Sequence, residues 1–99
     1  YFKVIETGVK KYPKDAKKML KVAKRLNSSY NMKLQDVVGF CFELPASPFV
    51  ASGGKYIDIN IIKSKINYLL KFCDVLICEG AGGLMVPINQ NYYMIDLIK

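Results

Sequence analysis

The chain has 99 residues, enough for one small domain and short for an α/β nucleotide-binding enzyme. With 52% hydrophobic and 23% charged residues it is not the composition of a disordered chain, and no apolar stretch reaches the roughly 18–20 residues that a bilayer span requires. The net charge of +7 allows a polyanion-binding surface, but much of the excess lies on Lys14, Lys17, Lys18, Lys21, Lys24 and Arg25 along one helix face, and arginine is nearly absent, so it reads as a solvated face rather than a nucleic-acid footprint.

In chain order, Tyr1 to Val9 reads as a strand that ends in a turn at Gly8, with Lys3 interrupting its apolar run. Pro13 then opens a helix, because its fixed φ suits the first turn, and Ala16, Met19, Leu20, Ala23 and Leu26 recur at helical spacing. The polar stretch Asn27 to Asn31 ends it. Val37 to Leu44 is a second strand, apolar on both faces apart from Glu43, as expected of a sheet covered on both sides. A Pro-Ala-Ser-Pro turn and a Gly53-Gly54 break follow. Asp58 is placed to cap a helix whose buried face is Ile59, Ile62, Ile66, Leu69 and Leu70. Asp74 to Cys78 is a third apolar strand running into Glu79-Gly80-Ala81-Gly82-Gly83, and Met94, Ile95, Leu97 and Ile98 begin a last helix. The alternation predicts the α/β class: a mostly parallel sheet with flanking helices in one domain.

Residue types narrow the chemistry. The chain holds no histidine, which excludes Ser-His and Cys-His nucleophile pairs within it and makes a zinc site improbable. Cys41, Cys73 and Cys78 form no C-x-x-C pair, so they read as buried small hydrophobes of a reducing, cytoplasmic protein. Ligands of open parallel sheets gather at the carboxyl ends of the strands. Glu6-Thr7-Gly8 and Glu79-Gly80-Ala81-Gly82-Gly83 fall there, with Asp15 in the first turn of the helix after the first cluster. An acid at the tip of an apolar strand is costly unless paired or metal-bound, and Mg²⁺ takes one or two carboxylates with phosphates and waters completing its shell. Glu79 is therefore read as a Mg²⁺–phosphate residue, against the plainer reading of a glycine-rich turn whose acid pairs with a lysine. For Lys3 the plain reading is a stem that packs while the amine reaches water, for Thr7 a turn hydroxyl, and for Asp15 an acid favoured by the helix dipole. No G-x-x-x-x-G-K-[ST] loop occurs in the chain.

Taken in order, FKVIETG, the acid in KDAKKM, ELPASPFVAS and CDVLICEGAGGLMVPI resemble the dethiobiotin synthetase family of the phosphate-loop NTPase superfamily over nearly the whole chain. Val4 stands where that family commonly has proline, and Phe49 where it commonly has histidine. The resemblance implies a three-layer αβα fold, of which residues 1–99 would be a central part, with the phosphate loop before Tyr1 and the adenine-binding part after Lys99. It implies a cytoplasmic, homodimeric ligase that closes the cyclic urea of dethiobiotin from diaminopelargonic acid and CO₂ or bicarbonate, with ATP and Mg²⁺. In that reaction a substrate amine forms a carbamate, the carbamate attacks the γ-phosphate, and the second amine displaces phosphate. Lys3 matches the family's catalytic lysine and Thr7 its substrate-binding hydroxyl. Asp15 and Glu79 match its Mg²⁺ carboxylates, and Asp15 with Glu79, Gly80, Ala81 and Gly82 its ATP-binding residues. This chain by itself is expected to be inactive. The competing readings are a related phosphate-loop amidoligase resembling cobyrinic acid amide synthases, and a basic nucleic-acid-binding module.

Overall fold

A computed structural model describes residues 1–99. The α/β expectation holds: strand β1 (Phe2–Glu6) lies between β2 (Val38–Cys41) and β3 (Cys78–Glu79), and both pairings are parallel. Every residue of β1 is buried, so both faces of this central strand are covered. Phe2 and Ile5 are fully inaccessible and anchor an apolar cluster with Val37, Val38, Ile57, Ile62, Leu69 and Ile88.

Helix α1 (Lys14–Leu26) follows Pro13 as expected and packs on β1 through Ala16 and Leu20. Its lysines face solvent, but Leu26, predicted for the buried stripe, is the last residue of the helix and is 84% exposed. Asp58 caps α3 (Ile59–Leu69), accepting from Asn60 N at 2.9 Å. Ile59, Ile62 and Leu69 of α3 are buried and Ile66 partly so, whereas Leu70 falls in a terminal 3₁₀ turn and is exposed. Lys65 reaches from α3 to the carbonyls of Gln35 and Val38, at 2.8 and 2.7 Å, and so ties the helix to the outer strand.

Several boundaries differ from the sequence reading. Both long apolar strands are shorter than predicted: the regular ladder ends at Glu6 and Cys41, although Val9 N and Gly8 N still donate to Phe42 O and Leu44 O. The segment after the Pro-Ala-Ser-Pro turn forms a short helix, α2 (Pro48–Ala51). The largest correction is at Asp74 to Cys78. Only Cys78 and Glu79 pair, opposite Phe2 and Lys3, and Val75 and Ile77 are 77% and 69% exposed. Their hydrophobicity predicts burial; of this stretch, the Ile77 carbonyl accepts from Phe2 N at 2.9 Å. The cysteines depart likewise: all three are free thiols on exposed residues, not buried ones. A hairpin of β4 (Pro87–Asn89) and β5 (Tyr92–Tyr93) follows the glycine-rich loop and precedes α4 (Met94–Ile98). Its signal is the polar run Asn89-Gln90-Asn91 between Ile88 and Tyr92. The buried Asn89 amide holds it in place by accepting from Ile57 N at 2.8 Å and donating to Ile57 O at 2.9 Å. No helix is long and apolar enough to cross a membrane.

Candidate active site at the strand ends

Lys3 and Glu79 are register partners on adjacent parallel strands, so their side chains leave the sheet on the same face. The Lys3 ammonium donates to Glu79 Oε1 at 2.6 Å and lies 3.1 Å from Asp15 Oδ2. The lysine side chain is 7% exposed, and the two acids 57% (Asp15) and 47% (Glu79). The plain reading of Lys3, an amine reaching bulk water, is thus set aside: its head is held inside a carboxylate pair. An ammonium has three N–H donors, two of which these acids occupy, leaving one for an anionic ligand.

The electrostatics follow from those contacts. Burial alone would push the Lys3 pKa down, but its bonds to Glu79 and Asp15 outweigh that and raise it above the ordinary 10.5. The bond from Lys3, with a second from the Tyr1 hydroxyl, holds the Glu79 carboxyl below its usual 4.5 against the opposing effect of burial. Burial and the Glu79 bond push the Tyr1 hydroxyl well above its ordinary range. All three shifts favour one charge state at neutral pH: ammonium, carboxylate and neutral phenol.

Beside this cluster lies a crevice of about 370 Å³ lined by Lys3, Glu6, Thr7, Asp15, Ser47, Ala81 and Gly82, among others. It collects the end of β1, the start of α1, the Pro-Ala-Ser-Pro turn and the glycine-rich loop. Of the residues singled out from sequence, Lys3, Thr7, Asp15, Ala81 and Gly82 line it. Glu79 stands at its edge, bonded to Lys3, and Gly80 sits behind under Met94. The loop needs glycine at position 82, where φ is +74° and a β-carbon would come within 2.8 Å of Val86. A depression of similar size beside α3, lined by Asp36, Asn60, Ser64 and Lys65 among others, gathers no pair of acids, and its Lys65 ammonium is already committed to carbonyls.

Three residues near the site escaped the sequence reading. Ser47 enters the crevice from the Pro-Ala-Ser-Pro turn, whose sequence singles out no side chain. Tyr1 reaches Glu79 only because β3 pairs beside β1. Glu6 was noted within its cluster but given no task; it is buried and accepts from Asp15 N at 2.9 Å and Ala16 N at 3.2 Å.

The chemistry available here is that of charge. Around one ammonium stand two carboxylates, those of Asp15 and Glu79, in a chain whose net charge is +7. No group of three or more His, Cys, Asp or Glu side chains is arranged to hold a metal ion alone. The donor set does suit Mg²⁺, which takes hard oxygens, often from only two carboxylates, and fills its shell with phosphate oxygens and water.

A parallel α/β sheet with an acid–lysine–acid cluster at its carboxyl end is the setting of a nucleotide-using domain, and a family model described as an AAA domain matches residues 1–99. The chain belongs to that family. Within it, the chain is 43% identical to the ATP-dependent dethiobiotin synthetase BioD of Sulfurovum sp. over 99 residues, covering 99% of this chain and 47% of the relative. It is 36% identical to the proteins of the same name from Wolinella succinogenes, over 98% of this chain and 46% of the relative, and from Lawsonia intracellularis, over 100% and 42%. The chain spans about half the length of the curated relatives it matches.

Proposed function

We propose that residues 1–99 are the central part of an ATP- and Mg²⁺-dependent dethiobiotin synthetase domain. The domain would close a cyclic urea from diaminopelargonic acid and CO₂, releasing ADP and phosphate. The observation that carries this reading is the meeting of Asp15 and Glu79 on the buried Lys3 ammonium beside a strand-end crevice. The names of the relatives support dethiobiotin synthesis and the use of ATP. A cytoplasmic homodimer belongs to the same reading.

The roles follow from the charges. In the proposed sequence a substrate amine adds to CO₂ and loses a proton, giving a carbamate. A carbamate oxygen bonds to the γ-phosphorus as the bond to ADP breaks, and the second amine then adds to the carbamate carbon and expels phosphate. Each step creates or moves negative charge, which the free donor of Lys3 is positioned to meet. Thr7, half-buried in the crevice wall, would hydrogen-bond substrate. Asp15 and Glu79 would hold Mg²⁺, whose chemistry is to neutralise phosphate charge. Ala81 and Gly82, with Gly80 behind them, would let the backbone of the loop approach phosphates closely.

Formation of dethiobiotin from diaminopelargonate, CO₂ and ATP by the full-length protein tests the assignment, and no product above a no-enzyme control would sink it. Lys3→Gln in that protein is expected to lower turnover by about 10²–10³-fold, the usual loss for a donor aimed at developing charge. Turnover near that of wild type would remove Lys3 from its role.

A further inference from the structure

The acid that the proposed reaction leaves without a task is Glu6. It ends β1, it is 6% exposed, and its two carboxylate oxygens are divided between the backbone N–H groups of Asp15 and Ala16. These belong to the first turn of α1, whose own cap residue, Pro13, contributes no side-chain hydrogen bond. The first N–H groups of a helix have no partner within it and carry its positive dipole end. Glu6 therefore serves as a borrowed cap, delivered from a strand rather than from the residue preceding the helix.

Where that cap acts is what matters. It bonds the backbone N–H of the residue whose carboxylate meets Lys3. Asp15 is thus gripped from β1 twice, through its N–H by Glu6 and through its Oδ2 by Lys3. The intervening residues 7–13 contain no helix or strand, and their turn at Gly8 has φ +72°. Without Glu6, the start of α1 would be located by that loop, by packing of Pro13 and Ala16, and by the Lys3 contact to the Asp15 side chain.

We infer that Glu6 is a positioning residue for the metal-binding pair: it fixes the start of α1 so that the Asp15 carboxylate stands opposite Glu79. This rests on the reading of Asp15 and Glu79 as Mg²⁺ ligands. A carboxylate kept only for helix stability would act equally whether or not Asp15 retained its charge. A carboxylate kept for position acts through Asp15.

The test is a Mg²⁺ titration of ATP binding by calorimetry, using full-length wild type, Glu6→Gln, Asp15→Asn and the double variant. Glutamine keeps the size of the side chain and one acceptor oxygen but turns an amide N–H₂ toward the second backbone donor. Glu6→Gln is expected to raise the Mg²⁺ concentration for half-maximal ATP binding about tenfold, the lower end of what loss of a ligand-orienting group costs. In the Asp15→Asn background the same change is expected to shift it less than about twofold, because coupled sites are non-additive. A Glu6→Gln requirement within about twofold of wild type, or an equal shift in both backgrounds, overturns the inference. Amide hydrogen exchange in the wild type gives a second reading that needs no variant to fold. Asp15 and Ala16 N–H groups should exchange more slowly than that of Lys14, which Glu6 does not reach, and equal rates overturn the inference too. Because the titration reads nucleotide binding, wild type that binds Mg²⁺ and ATP without forming dethiobiotin would sink only the substrate assignment. Wild type whose ATP binding ignores Mg²⁺ would sink both.

Discussion

Asp15 and Glu79 meet on one ammonium but are carried by unlike parts of the molecule. Asp15 starts a helix that is packed on a fully buried strand and capped by Glu6. Glu79 ends a two-residue strand whose approach, residues 73–77, is mostly exposed and unpaired. One half of the site is therefore held by the core, and the other by two ladder positions plus the bonds of Lys3 and Tyr1 to the Glu79 carboxylate. The lesson is that Lys3 joins the two halves. It is the only side chain that grips both acids, so the weaker half of the site is aligned through the stronger one.

The largest effects that could break this contrast lie in packing. Ile5 is fully buried in β1 and touches no ligand position, so Ile5→Ala is expected to cost about 2–5 kcal/mol, as truncations in well-packed cores do. Ile77→Ala, one residue before β3 and 69% exposed, is expected to stay within about 0.5 kcal/mol. Urea midpoints of the two variants against wild type measure both. A cost of about 2 kcal/mol or more at Ile77 would mean that this face is covered in the protein measured, and the contrast would fail.

A smaller change sharpens the comparison at the site. Glu79→Gln removes a proposed Mg²⁺ oxygen outright, so the Mg²⁺ requirement of ATP binding should rise by more than the roughly tenfold expected when only the orienting Glu6 is altered. An unchanged Mg²⁺ dependence would count against coordination by Glu79.

The part of the site legible in the sequence was the part whose residue type contradicts its surroundings. A lysine in an apolar strand and an acid at the tip of another are each conspicuous, and the strand-end rule for parallel sheets brings both to one edge. Asp15 was legible as a first-turn acid, although that observation alone admits a dipole explanation. Glu6 was not, because its partners are backbone N–H groups whose location depends on how the loop from Thr7 to Pro13 returns the chain. Tyr1 was not, because its contact needs the pairing of strands 76 residues apart or more, which side-chain chemistry does not encode locally. The opposite error occurred at Val75 and Ile77. Their hydrophobicity is a local property, but being a strand requires a neighbour, and of the two only Ile77 has a backbone bond to β1, from Phe2 N.

Acidity tests the weaker half more gently. Lys3 and then Tyr1 hold the Glu79 carboxyl below its ordinary 4.5, so the unfolded chain binds the proton more readily than the folded one. The stability this contributes is complete above pH 4.5 and is lost as pH falls through the lowered folded value. Lys3 has the opposite sign: its raised pKa contributes stability that is complete below 10.5 and disappears as pH rises through the raised value. The cluster is thus flat across neutral pH and weakens at both extremes. Because the Glu79 side chain is 47% exposed, solvent screens the pair, and its acid limb should amount to less than about 1 kcal/mol. Urea midpoints measured from pH 7 down to about pH 3 should fall less steeply in Glu79→Gln than in wild type, since glutamine has no proton to gain. Parallel declines would mean that Lys3 and Tyr1 do not hold this carboxylate in solution, and that the exposed half of the site is aligned by its two ladder positions alone.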